Sequence, residues 1–171
     1  MGAVYLAEDL TLSRHVAIKF MSRSLIAGMG NPEMLKALEQ RFIREAKTAA
    51  AINHPNLAQI YEANFDTENW FIAMEYIEGS PISDLITMGD GFPLKDAVDI
   101  ALQTIAGLQF AWENYSIIHR DIKPQNVMLT KRGNKVKIVA LGLAKPIMDA
   151  DDDMPALTGA GVPLGTPQYM A

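Results

Sequence analysis

The stretch His119-Arg120-Asp121-Ile122-Lys123-Pro124-Gln125-Asn126 decides how this sequence is interpreted. It follows a long segment with helical periodicity, residues 93–115, and precedes two short apolar runs, residues 127–129 and 136–139. The turn-prone Arg132-Gly133-Asn134 joins the two runs. We therefore predict a polar loop, rich in charged and amide side chains, that leads from a helix into a pair of short strands.

The composition is that of a globular protein with a small acidic excess. The chain has 171 residues, 49% of them hydrophobic and 20% charged, and a net charge of -5. The acidic balance argues against a dedicated nucleic-acid binder. The absence of cysteine excludes disulfides and thiolate metal sites and permits a reducing compartment. Because we find neither a signal peptide nor a membrane segment, we expect a cytoplasmic location, which includes the cytoplasmic part of a membrane-anchored parent.

Strand-like and helical patterns follow one another in two blocks. Strands come first and helices dominate later, so we predict an α+β fold with two lobes and a ligand cleft between them. Strands are predicted at 2–7, 15–21, 57–64, 70–76, 127–129 and 136–139, helices at 33–51, 82–87 and 93–115, and a linker near 77–81.

The polar stretch matches the catalytic loop of protein kinases, H-R-D-x-K-x-x-N, at every defining position. On this match the chain resembles the Hanks-type, bacterial-like serine/threonine protein kinases. The resemblance implies a two-lobed kinase fold and phosphoryl transfer from ATP to Ser or Thr. It implies that Asp121 accepts the proton of the substrate hydroxyl and that Lys123 neutralises the transferring phosphoryl group. It also implies that Asn126 holds Mg²⁺ on the phosphates.

Val16-Ala17-Ile18-Lys19 resembles the third-strand kinase motif V-A-I-K. There the lysine binds the α- and β-phosphates and pairs with a glutamate of the following helix, a position that Glu45 matches. The alternative for Glu45 is a surface pair with Arg41 one helical turn away. We expect the pair of Lys19 with Glu45.

Gly2 and Val4 match the end of the glycine-rich phosphate loop, G-x-G-x-x-G-x-V. The match implies that Gly2 lies over the nucleotide phosphates. It also leads us to expect that Met1 is an internal methionine and that the first two glycines of the loop lie upstream.

Met74-Glu75-Tyr76-Ile77 resembles the kinase hinge. The resemblance implies that Met74 is the gatekeeper and that backbone groups of Glu75 and Ile77 bind the adenine edge. Three apolar residues match positions that sandwich the adenine ring, although ordinary core packing would select the same residue types. They are Val4, Ala17 and Met128.

The segment Gly165–Ala171 resembles G-T-x-x-Y-M-A, the end of the kinase activation loop. The resemblance implies that Thr166 contacts the catalytic Asp and Lys. Thr158 is the candidate for an activating phosphate, which Arg120 would bind.

One motif departs from the family pattern. Where a kinase reads Asp-Phe-Gly, this chain reads Ala140-Leu141-Gly142, although both flanks match. Alanine has no ligand atom for Mg²⁺, so Asn126 would be left as the one protein metal ligand and Mg²⁺ binding would be weakened or lost. Two interpretations follow: a kinase of poor activity, or a pseudokinase that binds nucleotide and works as a scaffold or regulator.

The resemblance divides the chain into an N-lobe, residues 1–77, and a partial C-lobe, residues 78–171. It implies ATP as cofactor and a protein partner that carries Ser or Thr; the oligomeric state is left open. We also expect that the sequence is a fragment, and that the 93–115 helix exposes apolar surface that further helices would cover.

Overall fold

The structure is a computed structural model that describes residues 3–21, 40, 43, 46–65, 70–89, 91–139 and 166–169. Glu45, Gly2, Ala140 and Thr158 lie outside the described residues, so the predictions for these four positions stay predictions.

Four strands form the first sheet: β1 (Val4–Asp9), β2 (Arg14–Met21), β3 (Ile60–Phe65) and β4 (Trp70–Glu75). Their order is β1-β2-β4-β3, and each neighbouring pair is antiparallel. All four strands were expected from the Val-, Ile- and aromatic-rich runs of the sequence. The sheet therefore consists of two antiparallel pairs, β1 with β2 and β3 with β4. Strands β2 and β4 pair with each other and join the two pairs into one sheet.

Most strand boundaries differ from the predictions by one to three residues, and two of the differences have a clear cause. The first strand extends to Asp9, whose carboxylate accepts hydrogen bonds from the N–H groups of Thr11 and Leu12 at 3.1 Å each and so closes the turn. The third strand starts at Ile60 instead of residue 57, because Leu57 forms a parallel bridge with Ile138 of a later strand.

The hydrophobic core includes strand β4, which is buried on both faces. Ile72 is fully buried there, and Met74 is nearly so. Ala46 and Ala49 are buried in the same cluster and belong to the helical residues 46–50. Residues 40 and 43 are also helical, which agrees with the predicted 33–51 helix except at residue 51, where the described chain is already in a turn. Small alanines allow the helix to approach the sheet closely.

The second part of the chain combines two helices with a small sheet. The helices are α1 (Ile82–Met88) and α2 (Leu94–Tyr115), as the periodicity predicts. The antiparallel sheet has the order β5-β6-β7, with β6 at Val127–Thr130 and β7 at Val136–Ile138.

Strand β5 (Gly79–Pro81) lies where the sequence predicts only a linker, and this part of the prediction is wrong. Pro81 and Gly79 suggest a turn by residue type, but Gly79 has a packing reason to be glycine. A Cβ atom built on Gly79 would collide with the backbone carbonyl of Leu129 on β6. Only glycine permits this strand to lie so close to its neighbour.

Residues 56–58 tie the first sheet to strand β7. The N–H of Ala58 donates to the carbonyl of Ile138 at 2.9 Å, and the N–H of Ile138 donates to the carbonyl of Asn56 at 2.8 Å. The buried Asn56 amide donates to Gln103 Oε1 at 3.1 Å and to the Val136 carbonyl at 3.0 Å. The position of β7 is thus fixed by backbone and side-chain hydrogen bonds.

Helix α2 buries one side and exposes apolar residues on another. Ile100, Gly107 and Ala111 face the core, whereas Ile105 and Trp112 are more than half exposed. The expected exposed apolar surface of this helix is therefore present. Among the residues described here, no helix combines the length and the apolar character that crossing a membrane requires.

Candidate active site

The Asp121 carboxylate lies at the centre of the site. Its Oδ1 accepts a hydrogen bond from the Thr166 hydroxyl at 2.8 Å. Its Oδ2 contacts the Lys123 ammonium at 2.9 Å and accepts from Asn126 Nδ2 at 3.2 Å. The side chains of Asp121 and Lys123 are only 13% and 12% exposed. Both oxygens of the carboxylate are thus held in place, which gives it one defined orientation.

Lys123 and Thr166 also contact each other. The Lys123 ammonium donates to the Thr166 hydroxyl oxygen at 3.1 Å, while the same hydroxyl donates to Asp121. The three residues therefore form a closed triangle, although Thr166 is far from the other two in sequence. The predicted contact of Thr166 with the Asp and Lys of the loop is present in the structure.

Asn126 fixes the loop that carries Asp121. The 3-10 turn Pro124–Asn126 begins after Lys123, and the Asn126 amide donates back to the Asp121 carbonyl at 2.7 Å. Because its nitrogen is engaged with Asp121, the amide oxygen is directed away from that residue. An amide oxygen of this kind is a ligand that Mg²⁺ accepts.

The His119 side chain holds the catalytic loop in place through contacts of both ring nitrogens. The imidazole is only 4% exposed. Its Nε2 lies 3.1 Å from the Val139 carbonyl, and its Nδ1 accepts from the N–H of Asp121 at 3.3 Å. An accepting Nδ1 requires the tautomer with the proton on Nε2. The next residue, Arg120, has φ of 63°, a left-handed conformation that is strained for a long side chain and is frequent at functional sites.

Lys19 is a residue of the first sheet that interacts with the charged groups of the catalytic loop. It is half-buried on β2, and burial lowers its pKa below the ordinary lysine value. The negative charge of Asp121 opposes this shift, and the positive charge of Lys123 adds to it. Lys19 therefore interacts electrostatically with both charged groups of the catalytic loop, so two ammonium groups lie near one carboxylate.

The predicted adenine residues of the first sheet lie on one face of it, because paired residues and residues two apart share a face. Ala17 of β2 is directly opposite Met74 of β4, and Val4 of β1 is opposite Lys19. Val4 is largely exposed, as a residue at the mouth of a cleft would be.

Ile77 and Met128 complete the predicted adenine set. Ile77 is 6% exposed, and Met128 is half-buried on β6. Within the described residues, the backbone N–H of Ile77 contacts no hydrogen-bond acceptor.

The carboxylate of Glu75 points away from this cluster. Its Oε2 pairs with Lys137 of β7 at 2.8 Å. Sequence reasoning missed Lys137. The available signal was a lysine between Val136 and Ile138, which are both fully buried, because alternation in a strand places that lysine on the opposite face.

A comparison with known families decides the class of protein. The sequence profile of the protein kinase domain matches residues 1–171. The chain belongs to the protein kinase family. The catalytic-loop geometry described above agrees with this assignment, and so does the two-lobed arrangement of sheets and helices.

Bacterial serine/threonine kinases are among the similar proteins. The chain is 36% identical to the serine/threonine-protein kinase pkn3 of Myxococcus xanthus, covering 100% of this chain and 30% of that protein. It is 33% identical to PrkC of Bacillus subtilis, covering 100% of this chain and 24% of that protein. It thus spans a third or less of the length of these two relatives.

Solved kinase structures share the fold. The kinase domain of Mycobacterium tuberculosis PknI superposes with a TM-score of 0.68 at 24% identity, covering 84% of this chain and 56% of that one. A structure of Rad53 in complex with AMP-PNP gives a TM-score of 0.70 at 22% identity, covering 83% of this chain and 35% of that one. At these identities the likeness concerns the fold alone.

Kinases use ATP with Mg²⁺, and the donor atoms of this chain fit the metal only in part. The Asn126 amide oxygen is suitable, but Asp121 already binds three partners. Position 140, where the family has its aspartate, carries a methyl group. In the part of the chain described here, no three His, Cys, Asp or Glu residues are grouped as a metal site would require.

Proposed function

We propose that this chain carries the ATP-binding and catalytic-loop region of a serine/threonine protein kinase, with phosphoryl transfer slowed by Ala140. The observation that carries the proposal is the triangle of Asp121, Lys123 and Thr166 beside Asn126. This arrangement presents one oriented carboxylate next to an ammonium group, which a phosphotransfer site requires.

The proposed reaction moves the γ-phosphoryl group of ATP to a Ser or Thr hydroxyl of a protein. The bond between the hydroxyl oxygen and the γ-phosphorus forms while the bond from that phosphorus to the bridging oxygen breaks, and ADP leaves. Asp121 receives the proton of the hydroxyl. Lys123 offsets the negative charge of the transferring group, and Lys19 offsets that of the remaining phosphates.

The hinge backbone would recognise the adenine. The N–H of Ile77 and the carbonyl of Glu75 are the proposed partners. Val4, Ala17 and Met128 would enclose the ring, and Met74 would border it. Support comes from the pairing of Ala17 with Met74 and from the burial of Ile77.

The proposal for the metal is that Mg²⁺ binds weakly, with Asn126 as the one protein ligand. Mg²⁺ prefers several hard oxygen ligands, and alanine at position 140 offers none through its side chain. Glu45 is the proposed partner of Lys19, and Gly2 the proposed cover of the phosphates. A cytoplasmic location and a protein substrate complete the proposal.

The alternative, a pseudokinase that binds nucleotide as a regulatory module, is favoured by Ala140 alone. Two measurements on the full-length protein separate the two functions: thermal stabilisation by ATP with and without Mg²⁺, and transfer of labelled phosphate from ATP to protein. A kinase transfers label, and Asp121→Asn abolishes the transfer. Stabilisation that ignores Mg²⁺, together with no transfer, identifies the pseudokinase.

A further inference from the structure

Three consecutive residues at the end of β7 contact three different parts of the molecule. Lys137 contacts Glu75, the last residue of β4, through its side chain. Ile138 exchanges backbone hydrogen bonds with residues 56–58. The N–H of Val139 donates to the Asn126 carbonyl at 2.9 Å. One short strand therefore links the start of the hinge to the catalytic loop.

The contact between Glu75 and Lys137 is part of a hydrogen-bond network of charged side chains and backbone groups. Lys137 Nζ lies 2.8 Å from Glu75 Oε2 and 3.4 Å from the Leu57 carbonyl. The same Oε2 accepts from the N–H of Gln59 at 3.2 Å, and the Glu75 N–H donates to the Gln59 carbonyl at 2.8 Å. Both charged side chains are partly buried, with 16% of Lys137 and 26% of Glu75 exposed. Partial burial reduces solvent screening, so this pair is stronger than an exposed one.

The charge of Lys137 reaches the neighbouring loop as well. Burial lowers the pKa of His54, and the positive charge of Lys137 lowers it further. The ammonium group thus lies within the loop of residues 54–59, between the two sheets.

We propose that Glu75 and Lys137 form a clasp that positions the hinge relative to the catalytic loop. They are positioning residues for nucleotide binding, and neither touches the reacting atoms. The Glu75 side chain is turned toward Lys137, while its backbone begins the segment that the proposed function assigns to adenine. The inference rests on that proposed function where it concerns ATP affinity, but the fixing of the hinge can be measured without nucleotide.

The test compares four variants of the full-length protein with the wild type: three single variants and the double variant Glu75→Gln/Lys137→Met. Lys137→Met removes the charge and keeps the length of the side chain. Glu75→Gln removes the other charge and leaves an oxygen for the Gln59 N–H. Lys135→Met is the matched control, because Lys135 is exposed and only its backbone N–H and carbonyl make described hydrogen bonds.

The first readout is hydrogen exchange, without nucleotide, of the Glu75 amide at the start of the hinge, whose N–H donates to the Gln59 carbonyl. We expect exchange about tenfold faster in Lys137→Met and in Glu75→Gln, and no change in Lys135→Met. The double variant should exchange no faster than either single one, because the two residues act through one contact. Hinge exchange that is unchanged in Lys137→Met, or additive in the double variant, overturns the clasp.

The second readout is the Kd of a fluorescent ATP analogue. A loss of affinity of about three- to tenfold is expected for both clasp variants, and none for Lys135→Met. In phosphate transfer, KM for ATP should rise while kcat stays near the wild-type value. Wild-type protein that binds no analogue contradicts the proposed function, and the exchange measurement still decides on the clasp.

Discussion

The Thr166 hydroxyl donates to Asp121 Oδ1 at 2.8 Å, and this bond joins the end of the activation-loop segment to the catalytic loop. Thr166 accepts from Lys123 at the same time. A single hydroxyl therefore contacts both members of the Asp121–Lys123 ion pair, the two groups that the proposed function assigns to phosphoryl transfer.

Replacing Thr166 with Val should lower the rate of phosphate transfer by about ten- to a hundredfold with KM for ATP unchanged, because Asp121 loses its fixed orientation. Thr166→Ser keeps the hydroxyl and is the matched control. Steady-state kinetics with labelled ATP measures the effect. Equal kcat values for the Val and Ser variants would show that the hydroxyl has no such role.

Nucleotide affinity should fall as the pH rises through the pKa of Lys19 in the free protein. Burial lowers this pKa from the ordinary value of 10.5, so Lys19 loses its charge at a lower pH than an exposed lysine does. Nucleotide phosphates bind the charged form and therefore raise the pKa, which means that affinity is full below the pKa of the free protein and declines above it. Lys19→Arg, which stays charged, should flatten the pH profile of the Kd. The same decline in that variant would assign it to another group.

We expect the Asn56 side-chain amide to contribute more to the free energy of unfolding than the amide of an exposed asparagine does. Asn56→Leu leaves the Val136 carbonyl without its side-chain donor inside the core, a cost of about 1–3 kcal/mol in the free energy of unfolding. Asn114→Leu is the control, because Asn114 is exposed and bonds only to the Phe110 carbonyl of its own helix. Urea unfolding followed by tryptophan fluorescence compares the two. A smaller loss for Asn56→Leu than for Asn114→Leu would contradict the network.

Gly79→Ala should destabilise the small sheet by about 1–3 kcal/mol, since the new methyl group collides with the backbone of Leu129. Gly89→Ala is its control, because there the methyl group would meet only the Leu85 carbonyl at 3.7 Å, an ordinary contact. Thermal unfolding of the two variants measures the difference. Equal midpoints would mean that β5 shifts to make room.

Much of the fold could be predicted because local patterns agree with the tertiary structure. Runs rich in Val, Ile and aromatic residues predicted the strands around Lys19 and Met74, and period-3.6 spacing predicted α2. Strand β5 was missed because its residues, Gly79 and Pro81, favour turns in isolation. Its pairing depends on β6, which is distant in sequence.

The site could be predicted where a motif carries the chemistry, as at Asp121. The pair of Glu75 and Lys137 could not be predicted. Glutamate and lysine are both common at exposed positions of strands, and only the packing of the two sheets brings these two side chains together. The prediction of a strand at Leu57 is wrong for a similar reason. An apolar residue fits either a strand or a buried loop, and only its partner, here Ile138, distinguishes the two.

The most direct test of the proposed function is phosphate transfer by three forms of the full-length protein: the wild type, Ala140→Asp, and Ala140→Asp combined with Asp121→Asn. Ala144→Asp, which adds the same carboxylate four residues later in the sequence, is the control. We expect weak transfer by the wild type, an increase of about a hundredfold or more in Ala140→Asp, and loss of activity in the double variant. Transfer by Ala140→Asp that survives Asp121→Asn, or no transfer by any of these proteins, would contradict the assignment of Asp121 as the catalytic base of a kinase.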